Sequence, residues 1–152
     1  RLEVDSVPEE IDEISRKIMQ LEIEKQALSK ETDNGSKQRL ANIENELAEL
    51  KSSSDNMRVQ WETEKNAIAH IKELQQQIED TKHLIEDAER NYDLEKLAQL
   101  KYGVLPELEK KLETERDNAE KSKERSKEAR AVYAGITASA KKTKAPPRTQ
   151  HP

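Results

Sequence analysis

The stretch LANIENELAELKSSSDNMRVQWETEKNAIAHIKELQQQIEDTKHLIEDA, Leu40 to Ala88, contains no proline and no glycine. Ile43, Leu47, Leu50, Ser54, Met57, Trp61, Glu64, Ile68, Ile71, Leu74, Ile78, Thr81, Ile85, Ala88 and then Tyr92 recur at steps of three and four. That spacing keeps one narrow stripe on one side of an α-helix, the width that a partner helix covers. A helix from Ser36 to about Arg90 would be roughly 80 Å long at 1.5 Å per residue.

Composition agrees with a thin seam rather than a thick core. The chain has 152 residues, 39% of them charged and 32% hydrophobic, with no Phe and a mean hydropathy of -1.10. So charged a chain is either disordered or a coiled coil, and the periodic apolar positions decide for helices. With no cysteine there are no disulfides, thiol nucleophiles or thiolate metal sites. No apolar run approaches the roughly 18 residues that a membrane span needs. RLEVDSVPEE at the start lacks the order of a signal peptide, so a cytoplasmic location without membrane contact is expected.

Outward from the long helix, DSVPEEIDE supplies a helix start, with Ser6 as cap, Glu9 three residues on and Pro8 in the first turn. Ile11, Ile14, Ile18, Leu21 and Leu28 then form the stripe of a first helix, interrupted by Lys25. TDNGS, Thr32 to Ser36, reads as a stop followed by a new capping Ser, which makes a helical hairpin. The first helix reaches only about half as far as the second, so the residues after 90 must fold back to cover the rest. NYD, Asn91 to Asp93, places that reversal, with Asn as a left-handed stop and Asp as a cap. Leu94, Leu97 and Leu100 form a short third helix. Tyr102, Gly103 and the restriction before Pro106 predict a break, after which Pro106 opens a helix carrying Leu108 and Leu112.

The fold expected is all-α: an antiparallel coiled-coil rod with two wings built on one long central helix. The coiled coil covers 1–115, with helices over about 9–31, 36–90, 93–101 and 106–130. A basic tail, 116–152, is helical at first and then disordered. Its charge differs in sign from the rest: residues 1–115 hold 17 Lys and Arg against 28 Asp and Glu, whereas 116–152 hold 10 against 4. The tail lacks interleaved aromatics, so it does not read as a nucleic-acid site.

No catalytic pair is visible, because carboxylates spread along a rod share no cleft. Gly35, Gly103 and Gly135 are isolated, so there is no phosphate-cradling loop, and the chain is not expected to be an enzyme or to bind a cofactor. His70 and His83, 13 residues apart on one helix, are too far apart to share a metal, and His151 lies in the tail.

EVDSVPEEIDEISRKIMQLEIEKQAL (Glu3 to Leu28), SKQRLANIENELAEL (Ser36 to Leu50) and DLEKLAQLKYGVLPELEKKLE (Asp93 to Glu113) resemble, in order and spacing, the middle domain of the ClpB-type protein disaggregases. The resemblance covers about residues 1–115 and stops after Glu115. It implies a coiled-coil propeller inserted in the first ATPase module of a hexameric unfolding machine. One wing would hold the ATPase ring down, and the other would dock a DnaK-type chaperone, weakly and reversibly. By position, the docking surface implied is Asn91, Asp93, Leu94, Glu95, Ala98, Gln99 and Tyr102. The residues alone leave other readings open. Tyr102 plugs the helix junction, or the whole chain is a structural spacer or a self-associating scaffold anchored by its basic tail. A docking module would be a monomer, and a scaffold would dimerise through its seam.

Overall fold

The structure, a computed structural model, describes residues 7–144 and the side chains of residues 7–139. Four α-helices and one π turn make up the described chain: α1 (Glu9–Leu28), α2 (Asn34–Arg90), α3 (Leu94–Gln99), a π turn (Leu100–Val104) and α4 (Leu105–Lys144). There is no strand among the described residues. They divide into two compact units, one taking the residues up to Trp61 and from Arg125 onward, the other Glu62–Glu124.

The first unit packs three helices. Ile11, Ile14 and Leu21 of α1 meet Ile43, Leu47, Leu50 and Met57 of α2 and Ala129 and Tyr133 of α4 in one buried cluster, with Ile18, Leu28, Trp61 and Ile136 against it. Polar pairs at the rim give the directions. Ser15 with Arg58, Glu22 with Lys51 and Glu24 with Arg39 run oppositely in number, so α1 and α2 are antiparallel. Glu10 with Arg130 and Glu13 with Tyr133 run together, so α1 and α4 are parallel. These pairs set register more than stability, because exposed ion pairs contribute only about 0 to 1 kcal/mol each. Burial does the holding, at roughly 1.5 to 3 kcal/mol per aliphatic side chain removed from water.

The third helix of this unit is a departure from expectation. Beyond Glu115 the sequence carries no leucine stripe, yet Ser126, Ala129 and Tyr133 are buried at steps of three and four, after Ser122 of the second unit, also buried, and α4 runs to Lys144 rather than ending near 130. The stripe continues in small residues. Small side chains let helices approach closely and bury the segment without large hydrophobics. The closeness has one cost: the Ser126 hydroxyl is buried without a hydrogen-bond partner. Ser126→Ala should therefore raise stability by about 1 kcal/mol, read from the urea midpoint. A loss of that size would contradict the packing. The expected disorder of the proline-rich end falls on residues 145–152, and the expected Ser6 cap on residue 6, both outside the described residues. Lys141 to Lys144, within that end, are helical.

The α1–α2 reversal also differs in detail. The first helix stops at Leu28, three residues earlier than expected, and the second begins at Asn34 instead of Ser36. Asp33, not Ser36, caps α2: its carboxylate accepts from the Ser36 N–H at 3.0 Å. Hydrogen bonds from Ser36, hydroxyl first and backbone second, hold the Asp33 carboxyl below the usual carboxylate range. Gly35 takes no positive φ and lies inside the first turn.

In the second unit the long seam continues through Leu74, Ile78, Thr81, Ile85 and Ala88, all buried. α2 ends by a left-handed stop in which Asp93 N–H donates to Ala88 O at 2.9 Å and Tyr92 N–H to Glu89 O at 3.2 Å. The residue with positive φ is Tyr92 (55°), not Asn91. Tyr92 was expected as the last seam position, but the stop rotates it off the stripe and leaves it 85% exposed.

The expected break at Tyr102–Pro106 is absent. Leu105 stays in the helical region (φ -62°, ψ -48°) and donates to Leu100 O, five residues back, so the helix widens there instead of ending. Leu97, Leu100, Leu105, Leu108 and Leu112 are the half-buried stripe of this arm, and they explain the π turn. The step from Leu100 to Leu105 is one residue too long for a regular turn, and would swing the second half of the stripe about 100° out of line. The extra residue of a π turn absorbs it. A wide turn also accommodates Pro106, which lacks an N–H and crowds the carbonyl four residues back.

Candidate functional site

The reversal, the short helix after it and the π turn carry the residues that the sequence assigned to partner docking. Asp93 sets the geometry: as N-cap of α3, its carboxylate accepts from the Lys96 N–H at 3.3 Å. From that start, Leu97 and Leu100 turn inward and half-bury, and no residue of α3 is fully buried. Glu95, Ala98, Gln99 and Tyr102 fall at i, i+3, i+4 and i+7, and all four are exposed. This is one outward helical face. Asn91 and Leu94 stand beside it at the reversal, Leu94 71% exposed and Asn91 tied by its N–H to Asp87 O at 3.0 Å.

Tyr102 is 76% exposed, so it does not plug the helix junction. Its ring sits on the outside of the π turn with the Lys101 ammonium 6.0 Å from its centroid, at the outer limit of a cation–π contact. The surface assembled here offers an amide, carboxylates and an aromatic on a weakly packed helix without a cleft. Such a face suits reversible protein docking better than bond-making chemistry.

Tyr92 is the residue that sequence reading missed. It was counted in the seam, and the signal that would have moved it is the Asn-Tyr-Asp run itself, since a stop one residue later than Asn91 points the ring outward. The other singled-out side chains lie elsewhere. His70 pairs with Glu115 of α4 at 3.3 Å beside Glu107, Lys110, Lys111 and Thr114, and His83 faces Glu86 at 3.9 Å on its own helix. Trp61 packs, half-buried, against the core of the first unit. Among the described residues no three His, Cys, Asp or Glu side chains are grouped to hold a metal, and no helix is long and apolar enough to cross a membrane.

Known proteins provide an independent line. No protein-family model matches the chain. The chaperone protein ClpB of Nitratidesulfovibrio vulgaris is 52% identical over 114 residues, 75% of this chain and 13% of the relative. That of Enterococcus faecalis is 48% identical over 120 residues, 78% of this chain and 14% of the relative. That of Bdellovibrio bacteriovorus is 48% identical over 131 residues, 86% of this chain and 15% of the relative. The chain thus spans about one seventh of the length of these relatives. Identity at this level over most of the chain, on an all-helical coiled coil, places the protein in the ClpB chaperone family, as a segment fitting that family's middle coiled-coil domain.

Proposed function

We propose that this chain is the regulatory coiled-coil module of an ATP-dependent protein disaggregase, which docks a DnaK-type chaperone through the outward face of α3 and the π turn and controls the ATPase ring of its parent. The observation that carries the reading is the exposure of Glu95, Ala98, Gln99 and Tyr102 on one face of a helix that has no fully buried residue. Burial is what fixes an element, so this arm has little to resist displacement and much surface to offer. The similarity to chaperone proteins ClpB supports a chaperone context, and the resemblance of the sequence to the disaggregases implies the ATPase machine. In that setting the hexameric ring of the parent is the second partner, and the module acts as a lever on it. The seam of the first unit is covered by the chain's own helices, which supports a monomeric module over a scaffold that dimerises through it.

A competition assay tests this. The chain, added in excess to a ClpB relative and its DnaK-type partner reactivating a heat-aggregated reporter enzyme, should occupy the partner and slow reactivation. Tyr102→Ala should remove most of that inhibition. Unchanged reactivation at the highest soluble concentration, with the chain shown to be helical, would overturn the docking reading.

A further inference from the structure

Tyr92 combines a left-handed backbone with an exposed aromatic ring. It holds a left-handed backbone (φ 55°), which costs a non-glycine residue about 1 to 2 kcal/mol. Its ring, 85% exposed, gives nothing back through packing. Glycine at the same position would relieve the backbone without losing a buried contact. The helix stop needs a left-handed backbone here but not a tyrosine ring, so the ring is the part left for a role at the surface.

The surroundings point to its use. Leu94, two residues on, is 71% exposed, so an aromatic and an aliphatic side chain stand out together at the reversal. From Glu86 to Gln99 the charged residues are Glu86, Asp87, Glu89, Asp93 and Glu95 against Arg90 and Lys96, all exposed, and Arg90 is paired with Asp87. The apolar tip is therefore ringed by excess negative charge. Its complement is a surface with an apolar notch rimmed by cations.

We propose that Tyr92, with Leu94 beside it, is an anchor that the reversal inserts into an apolar notch rimmed by basic side chains on the chaperone that docks at α3; this rests on the docking reading above. Aromatic anchors of this kind carry a disproportionate share of interface energy. The αL backbone aims the ring away from the stripe that it would otherwise join. The acidic surround steers the approach, which makes association slower at high salt.

The test is a titration of the full chain and two variants with the nucleotide-binding domain of a DnaK-type chaperone, paired with urea unfolding of each. Tyr92→Gly should unfold at a higher urea concentration than the parent chain yet bind about tenfold more weakly. Tyr92→Phe, which keeps the ring, should bind within about twofold of the parent chain. Weaker binding by a more stable variant separates lost contact from lost fold. Equal affinity of Tyr92→Gly and the parent chain would overturn the anchor and leave the docking reading standing. No binding by the parent chain would overturn both. A dimer in sedimentation that Tyr92→Gly abolishes would also overturn the anchor, by showing that a second copy takes the ring.

Discussion

Ile14→Ala is expected to lower the unfolding free energy by about 3 to 4 kcal/mol, within the range measured for emptying a well-packed aliphatic site. The side chain is 0% exposed and belongs to the one cluster that joins α1, α2 and α4. Three helices converge on it, so the cavity cannot close by moving one of them, and the full transfer and cavity costs are felt. Met19 lies on the same helix but is 64% exposed, and Met19→Ala should stay within about 0.5 kcal/mol of the parent chain. Urea unfolding of both variants checks the pair, with midpoints independent of protein concentration if the seam is covered within one chain. A cost below about 1 kcal/mol at Ile14 would contradict the three-helix core.

Tyr102→Ala should leave stability within about 0.5 kcal/mol and weaken binding of a DnaK-type partner by about tenfold or more. The two halves follow from the same observation. At 76% exposure the ring buries little against its own chain, so its removal uncovers no core. Its surface is available to a partner instead. Tyr102→Phe divides the effect further, since retained binding assigns the contribution to the ring and lost binding assigns it to the hydroxyl. A Tyr102→Ala variant that melts early and binds normally would show that the tyrosine serves the π turn rather than a partner.

The parts of the fold legible in the sequence are those written in large side chains. Ile43 through Ala88 recur at helical steps and are buried or half-buried in the structure, because a narrow apolar stripe has few ways to leave water other than against a second helix. Asp93 was readable as a cap because its short acceptor can reach a free N–H at a helix start. The helix over 106–130 was legible, but not its burial in the core of the first unit, because Ser126 and Ala129 are small and do not register as an apolar stripe. Nor was the π turn. Gly and Pro at Gly103 and Pro106 weigh locally toward a break, but the leucines on either side are brought into line by one extra residue in the turn, and tertiary packing overrides the local preference. Of the candidate surface, the sequence placed the segment, through the resemblance to the family. Which side chains face outward depended on where the stop fell, and a shift of one residue from Asn91 to Tyr92 turned an expected seam residue into the most exposed aromatic at the reversal.

The most direct measurement is an NMR titration of the isotope-labelled chain with the nucleotide-binding domain of a DnaK-type chaperone. Amide shifts confined to Asn91 through Tyr102, with the seam residues of the first unit unmoved, are the result expected. Shifts spread along α1 and the first half of α2, or none at saturating partner in a folded chain, would contradict a docking face on α3 and the π turn.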